Sequence, residues 1–244
     1  MGVPSGLQEM KEERMIQALL TIDDLPSGVT RPIVDYLKGA GIPALMFVIG
    51  EKAEKDPDPA VYAISQGMVL GNHSFSHPHF SALSVEEGIR EIDRCEAVLE
   101  RLYEMAGVPR AFRPFRFPYG DKGGKNREAF QAVLREKGFD RVKSRIPYAW
   151  WHEKGLDREV DTLWTFDFAE YRIRPGSGFT LGNVWDRFRK MNPEEGVPLL
   201  IPDGRHMLLL HAHDETEEMV PGYYRLLLDE LVKQGVRFLP PEFE

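Results

Sequence analysis

The sequence predicts an α/β protein in which parallel strands and crossover helices form one sheet, either open or closed into a barrel. Short apolar runs alternate with amphipathic segments along the 244 residues, and strands separated by helices usually pair in parallel. No internal repeat or clear linker divides the chain, and its 42% of hydrophobic residues can form a sizeable core. We therefore predict a single domain over residues 1–244, with residues 1–14 as a flexible N-terminal segment.

Each element follows from its local pattern. Apolar runs predict strands at 15–22, 43–50, 68–72, 112–117, 139–143, 163–168, 206–213 and 236–240. Amphipathic segments predict helices at 30–41, 58–67, 84–107, 126–138, 181–191 and 223–235. The longest helix has a capping signature, because Ser84 is followed three residues later by Glu87.

Composition excludes several classes of protein. The net charge of −8 argues against a nucleic-acid partner. The single cysteine, Cys95, cannot form an internal disulfide and is expected to be a buried, inert thiol. No apolar run approaches the ~20 residues of a membrane span, and the start does not resemble a signal peptide. The sequence as written therefore predicts a cytoplasmic protein, or a secreted or cell-surface one if a leader has been removed.

Polar residues follow the predicted strands, and the carboxyl ends of parallel strands are where such folds bind ligands. These residues are Asp23 and Asp24, His73 and His77, Arg116 and Tyr119, Asp167 and Glu170, and His211 and His213.

The stretch "HSFSH" places His73 and His77 four residues apart. In an extended chain they would lie about 13 Å apart, whereas one helical turn brings such residues together. Pro78 disfavours helix at His77, so we expect one irregular turn. Metal ligands and polar loop histidines are equally good interpretations of this pair, and His79, which has no partner at this spacing, is expected to be structural.

The stretch "TIDDLPSG" places two adjacent carboxylates at the end of a strand. Asp23 and Asp24 repel each other unless a cation lies nearby, and a carboxylate with two histidines forms a three-ligand metal site with a position open for water. The alternative is local: Asp24 begins a turn, or Asp23 caps a helix.

Two further stretches contribute candidate groups. In "FRPFRFPYGD", Arg113 or Arg116 could keep a carboxylate ionised, and backbone N–H groups of the turn could face an oxyanion; the alternative is two surface arginines. In "HMLLLHAHD", His211 and His213 share a strand face and suit a general acid, although a lone histidine of this kind is often a core residue.

Taken in order, these pieces resemble the polysaccharide deacetylase family, the carbohydrate esterases of family 4 that share the NodB homology domain. "TIDD" is similar to the family motif T-F-D-D, "HSFSH" to H-[ST]-x-x-H, "RFPYG" to R-x-P-[YF]-G, and "LLH" at 209–211 to L-x-H. "DFAEY" at 167–171 stands in the place of D-x-x-D-W. The resemblance implies a distorted (β/α) barrel with about seven parallel strands.

The resemblance also implies roles for the residues. Asp24, His73 and His77 would bind one divalent metal ion, zinc in preference to cobalt, nickel or manganese. Asp23 would be the base that activates the attacking water, held ionised by Arg116. The backbone N–H of Tyr119 would stabilise the oxyanion, and His211 would be the general acid. The implied activity is hydrolysis of a carbon–nitrogen bond other than a peptide bond, which releases acetyl groups from an N-acetylated carbohydrate, in preference to an O-acetylated one.

The sequence departs from the family pattern in three places. Leu25 stands where glycine is common, and Ala212 where aspartate is common, which leaves His213 as a rival to His211. Glu170 and Tyr171 replace Asp-Trp, so the partner of His211 is either Glu170 or Asp167.

Other activities are compatible with the same motifs. A hydrolase of small cyclic amides or ureides could use this scaffold, and a non-catalytic carbohydrate-binding module is the alternative of another class. Aromatic residues at Tyr148, Trp150 and Trp151 either stack on sugar rings or pack their loop against the barrel.

Overall fold

Six strands pair in the part of the chain that the computed structural model describes, residues 15–188, 190 and 198–244. They are β1 (Gln17–Leu25), β2 (Ala44–Val48), β3 (Val69–Asn72), β4 (Phe166–Asp167), β5 (Arg205–His211) and β6 (Arg237–Phe238). All pairings are parallel, in the order β3-β2-β1-β5-β4, with β6 beside the start of β1.

Backbone contacts continue beyond the edge strands. The N–H groups of Asn72 and Arg116 each donate a 2.9 Å hydrogen bond, to Pro114 and Asn72 respectively. The Thr162 N–H donates to the Phe115 carbonyl at 2.8 Å, four residues before β4 begins. The segment around Phe115 and Arg116 therefore links β3 to the residues that lead into β4. Together with the six strands, it matches the prediction of a distorted barrel with about seven parallel strands.

Helices of the described residues cover the outside of the sheet. They are α1 (Thr30–Ala40), α2 (Gly50–Lys55), α3 (Asp58–Ser65), α4 (Val85–Ala106), α5 (Arg127–Glu136), α6 (Ala149–Glu153), α7 (Leu181–Arg187), α8 (Asp214–Met219) and α9 (Tyr223–Lys233). The capping box predicted for α4 is present: the Ser84 side chain accepts from the Glu87 N–H, and the Glu87 side chain accepts from the Ser84 N–H. None of these helices combines the length and apolar character needed to cross a membrane.

Successive side chains of β1 point alternately into two hydrophobic clusters, one on each face of the sheet. Leu20 and Ile22 are fully buried in the large cluster that the helices complete, while Leu19 packs in a second cluster with Phe47 and Met207. Because successive strand residues point to opposite faces, Thr21 and Asp23 lie on the Leu19 face. The strand pattern thus directs Asp23 to the barrel interior.

A cluster of buried phenylalanines supports the 112–121 segment. Phe115 and Phe117 are fully buried against Phe80 and Phe130, with ring centroids 4.7–6.1 Å apart. Since these two rings face the cluster, the residue between them, Arg116, points the other way, into the barrel.

Some sequence predictions need correction. The predicted strand at 112–117 is only a single parallel bridge between Phe115 and Asn72. The predicted strand at 139–143 is only a single antiparallel bridge between Val142 and Phe243, because its neighbours pair with the chain terminus rather than with the sheet. The short helices α2, α6 and α8 were not predicted, since two turns or fewer give too little periodicity. The predicted helix at 181–191 is observed as Leu181–Arg187, and its far end falls partly outside the described residues, as does the whole flexible segment predicted at 1–14.

The prediction for Cys95 is confirmed. Its thiol is fully buried in α4 and donates to the Val48 carbonyl at 3.3 Å. Burial raises the pKa of the thiol, which keeps it in the unreactive protonated form.

Candidate active site

Two neighbouring strands bring Asp23 and His211 side by side. They are register partners at the carboxyl ends of β1 and β5, and the next residue, Ala212, donates its N–H to the Asp23 carbonyl at 2.9 Å. Asp23 and His211 are far apart in the sequence, and they become neighbours because β1 and β5 pair in parallel.

Asp24 leaves the strand in a left-handed conformation. Its φ is 72°, and the register between β1 and β2 shifts between Ile22 and Leu25. Adjacent strand residues would normally point to opposite faces, so this irregularity allows both aspartates to turn toward His73. The Lys52 ammonium on α2 donates to the Asp24 carbonyl at 3.1 Å.

His73 and His77 lie in an irregular turn, as expected from Pro78. Ser74 and His77 both have positive φ, 64° and 59°. The Asn72 side chain accepts from the Ser74 N–H at 2.8 Å, and the Ser74 hydroxyl accepts from the His77 N–H at 3.2 Å. The turn brings the two imidazole rings to a centroid distance of 4.9 Å.

The three side chains Asp24, His73 and His77 fit a metal ion. Their candidate ligand atoms all lie within 4.8 Å of one another. His73 Nδ1 lies 2.9 Å from the Arg116 carbonyl, which can only accept, so Nδ1 carries a proton and Nε2 faces the carboxylates. Asp24 Oδ1 is buried and has no hydrogen-bond partner in the described structure, which is the condition a cation would relieve.

Burial and nearby charges keep His77 and Asp24 in the protonation states that bind metal ions. Burial lowers the pKa of His77 to about 4, so its imidazole is neutral near pH 7. Burial alone would raise the pKa of Asp24, but the nearby histidines, His211 foremost, bring it below its usual value. Asp24 therefore stays ionised.

Arg116 holds Asp23 inside the barrel. Its Nη1 donates to Asp23 Oδ1 at 2.7 Å and to Thr21 Oγ1 at 2.8 Å, and its Nε donates to the Thr162 carbonyl at 2.9 Å. The guanidinium is 1% exposed and lies 4.5 Å from the Phe47 ring centroid. The other Asp23 oxygen, Oδ2, lies 3.5 Å from His73 Nε2.

Tyr119 lies at the edge of the candidate metal site. Its φ is 59°, and the N–H groups of Gly120 and Asp121 donate to Phe117 and Pro118. Among the described residues, no acceptor is present for the N–H of Tyr119 itself. The residue is 58% exposed, and its ring meets the His77 ring at a centroid distance of 4.6 Å.

His79 lies outside the metal-ligand group and contacts this ring. It stacks on Tyr119 with centroids 4.0 Å apart and planes at 13°, and its Nδ1 lies 3.4 Å from Asp121 Oδ2. The third histidine of the stretch therefore contacts the Tyr119 ring that covers His77.

Glu170, rather than Asp167, makes the hydrogen bond with His211. Glu170 Oε1 lies 3.1 Å from His211 Nδ1 and accepts from the His211 N–H at 2.5 Å. Glu170 is fully buried. Burial alone would lower the pKa of His211, but the Glu170 carboxylate raises it to about 10, so the imidazole is protonated near pH 7.

Asp167 lies close to this pair without bonding to His211. Its Oδ1 accepts from the Ala169 N–H at 2.7 Å, and burial raises its pKa to about 6. Asp167, Glu170 and His211 form a second compact group of titratable side chains. The Tyr171 ring meets His211 edge to face, with centroids 4.6 Å apart.

His213 has a different environment from His211. Its Nδ1 lies 3.1 Å from the Thr216 hydroxyl in α8, and its backbone N–H donates to the Tyr223 hydroxyl at 3.2 Å. The contacts of His213 are thus those of a residue at the start of α8.

Sequence reasoning missed several supporting residues. Thr21 lies two residues before Asp23 on the same strand face, Asn72 orders the histidine turn, and the Tyr223 hydroxyl donates to the His211 carbonyl. Thr21 and Asn72 could have been identified as polar residues within apolar strands. The sequence contains no comparable indication for Tyr223.

Other candidates lie elsewhere. Arg113 pairs with Glu96 at 2.9 Å instead of with the aspartates. Trp151 is 2% exposed in the core near the start of β5, and the Tyr148 hydroxyl bonds His206 there at 3.0 Å. Tyr148 and Trp150 are partly buried against the same cluster, so the contacts of all three aromatic residues favour the packing interpretation over sugar stacking.

Fold and site together define a class: a parallel α/β barrel with a carboxylate and two histidines at one end, beside a buried aspartate and a charged histidine–glutamate pair. The chain belongs to the polysaccharide deacetylase family, whose model matches residues 11–142, more than half of its length.

Individual relatives agree with this assignment. The chain is 37% identical over 106 residues to a peptidoglycan-N-acetylglucosamine deacetylase of Bacillus cereus, covering 43% of this chain and 37% of the relative. It is 30% identical over 159 residues to a chitooligosaccharide deacetylase of Sinorhizobium fredii, covering 65% of this chain and 67% of the relative. This chain thus spans little more than a third of the length of the Bacillus relative.

A solved structure is similar over nearly the whole chain. It is a peptidoglycan N-acetylglucosamine deacetylase in complex with 4-naphthalen-1-yl-N-oxidanyl-benzamide, with a TM-score of 0.62 and 20% identity, covering 98% of this chain and 95% of that one. This likeness supports the fold alone.

Proposed function

We propose that this protein is a metal-dependent hydrolase that removes the acetyl group from an N-acetylated carbohydrate, in preference to an O-acetylated one. One observation carries the proposal. A carboxylate fixed by arginine, Asp23, and a protonated histidine fixed by glutamate, His211, lie on adjacent strands beside the candidate metal ligands. A base and an acid held in separate environments are what amide hydrolysis requires.

The relatives support the choice of substrate. Those compared above are named as deacetylases of peptidoglycan N-acetylglucosamine and of chitooligosaccharides. An acetamido group on a sugar is the chemistry these names share, and we extend it to this chain.

Asp24, His73 and His77 would hold one divalent cation. Two imidazoles and one carboxylate suit zinc best, with cobalt, nickel or manganese as possible substitutes. When bound, the ion supplies positive charge that polarises the acetyl carbonyl and makes a water molecule more acidic.

Asp23 would take the proton from the attacking water. Its Oδ1 is occupied by Arg116, while Oδ2 faces His73 Nε2 and the ligand group. The buried guanidinium pairs with the carboxylate and fixes its rotamer, so the base is already oriented for the reaction.

The backbone N–H of Tyr119 would donate to the oxyanion as the acetyl carbon becomes tetrahedral. It has no competing acceptor among the described residues, and a donor that is already in place costs little reorganisation.

His211 would then protonate the leaving nitrogen. The Glu170 carboxylate holds the imidazole in the charged form from which a proton can be given. Carbohydrate binding alone requires neither a positioned base nor a positioned acid. The presence of both therefore favours the hydrolase over a non-catalytic binding module.

The test is acetate release from N-acetylglucosamine oligomers, peptidoglycan fragments and acetylated xylan, with zinc or cobalt and with a chelator. We expect acetate from the N-acetylated substrates, lost with chelator and restored by metal. Ring opening of cyclic ureides without acetate release would favour the cyclic amide hydrolase, and sugar binding without any turnover would favour the binding module.

A further inference from the structure

The position of His211 indicates where the sugar lies, if the proposed function holds. The leaving nitrogen is bonded to the sugar ring, so the group that protonates it must face the sugar. Tyr171 packs on His211 and is 38% exposed. A sugar bonded to the leaving nitrogen would therefore lie next to Tyr171 and the residues that follow it.

These residues, 172–179, form a loop with an ordered backbone, which we call the arginine loop. The Ser177 N–H donates to the Arg174 carbonyl at 3.1 Å, and the Ser177 hydroxyl accepts from the Phe179 N–H at 3.1 Å. The loop thereby returns Phe179 to Arg172, whose guanidinium lies 4.5 Å from the Phe179 ring centroid. Together with Tyr171, the loop lines a groove open to solvent.

Two guanidinium groups of this loop have no acidic partner in the described part of the chain. Arg172 and Arg174 are both exposed and line the groove, and no carboxylate of the described residues lies within ion-pair distance of either. Helix α8, with four acidic residues, packs against the start of the loop but makes no ion pair with these arginines. Both guanidinium groups are therefore available to an anionic group that enters the groove.

We infer that the arginine loop is a subsite for a carboxylate carried by the glycan, so the preferred substrate is an acidic N-acetylated glycan. The planar guanidinium fork matches a carboxylate through two parallel N–H donors. Stacking on Phe179 restrains Arg172 while leaving the edge of its guanidinium free to donate. The carboxylate would lie on the acetylated sugar or on the sugar beside it.

The test compares one oligosaccharide in two charge states. The acid is a tetrasaccharide of alternating N-acetylglucosamine and N-acetylmuramic acid, whose lactyl groups carry carboxylates, and its control is the same molecule with those carboxyls converted to amides. Binding is measured by calorimetry in Asp23→Asn, so the result does not depend on turnover. KM for both is then measured in the active protein.

We expect the acid to bind about tenfold more tightly than the amide, with a preference that weakens as salt is added. Arg172→Gln together with Arg174→Gln should remove this preference. The matched control, Arg90→Gln with Arg135→Gln, removes the same charge from exposed positions on α4 and α5 and should preserve it.

Three results would overturn the inference: equal affinity for acid and amide, equal loss of preference in the control pair, or inhibition by free phosphate that the loop variant abolishes while the preference persists. Failure of the proposed function is distinct, because it would appear as no acetate from any substrate, whatever the binding preference.

Discussion

Arg116 and Asp23 form a buried ion pair with Nη1 and Oδ1 2.7 Å apart, although the residues are 93 positions apart in the chain. The two side chains are 1% and 4% exposed. The pair joins the 112–121 segment to the end of β1, so the same contact orients the proposed base and closes one side of the barrel.

Removing Arg116 should therefore affect both stability and activity. Arg116→Met leaves Asp23 buried without its partner, and we expect the free energy of unfolding to fall by about 3–5 kcal/mol. Urea denaturation measures the change, and acetate release should be lost in the fraction that remains folded. Arg113→Met is the control from the same segment: it should destabilise the protein through Glu96 but retain kcat. Equal kcat losses in both variants would contradict a specific role for Arg116.

The two histidines at 77 and 79 should differ in their effect on metal binding. His77→Ala removes a proposed ligand, so zinc affinity should fall by more than about 100-fold, beyond what is typical of a residue that only orients a ligand. His79→Ala removes the stacking partner of Tyr119 and the contact with Asp121, but no proposed ligand, so it should leave the affinity within about tenfold. Competition with a chromogenic chelator measures both. Similar losses would mean that the ligand assignment is wrong.

Replacing Glu170 should move the alkaline limit of activity to lower pH. The folded protein holds the pKa of His211 at about 10, above the ~6.5 of an isolated histidine. A general acid must be protonated, so activity is lost as the pH rises through this pKa. Glu170→Gln removes the carboxylate that raises the pKa of His211 most, while Asp167 and Asp24 remain. The alkaline limb of kcat/KM should therefore shift toward neutral pH. An unchanged limb would exclude Glu170 as the group that sets it.

His211 and His213 can be separated by paired substitutions. His211→Ala should lower kcat by about 100-fold or more, the usual contribution of a general acid. His213→Ala loses the Thr216 contact, so it should cost about 1 kcal/mol of stability with little change in kcat. Thermal melts and acetate release distinguish the two. A larger kcat loss for His213 would reverse the assignment.

Much of the fold follows from patterns in the sequence. The apolar runs locate the strands, and alternation explains why Arg116 points inward while Phe115 and Phe117 point outward. Because polar residues follow several of these runs, the sequence also predicts that the candidate residues meet at one end of the barrel.

The details of the site were less predictable because they depend on left-handed backbone. Five non-glycine residues there have positive φ: Asp24, Ser74, His77, Tyr119 and Ala169. Such conformations are unfavourable for most side chains, and no glycine marks them in the sequence. Ala169, at φ 54°, lies between the two candidate partners of His211, so the choice of Glu170 over Asp167 could not be derived from spacing.

Asp23 as the base is the central element of the proposed mechanism, and Asp23→Asn tests its role directly. Acetate release from N-acetylglucosamine oligomers and zinc affinity should be measured on the same preparation. We predict that kcat falls by at least about 100-fold while zinc affinity stays within about tenfold, because the ligand atoms of Asp24, His73 and His77 remain. Full activity in Asp23→Asn would contradict the proposed mechanism.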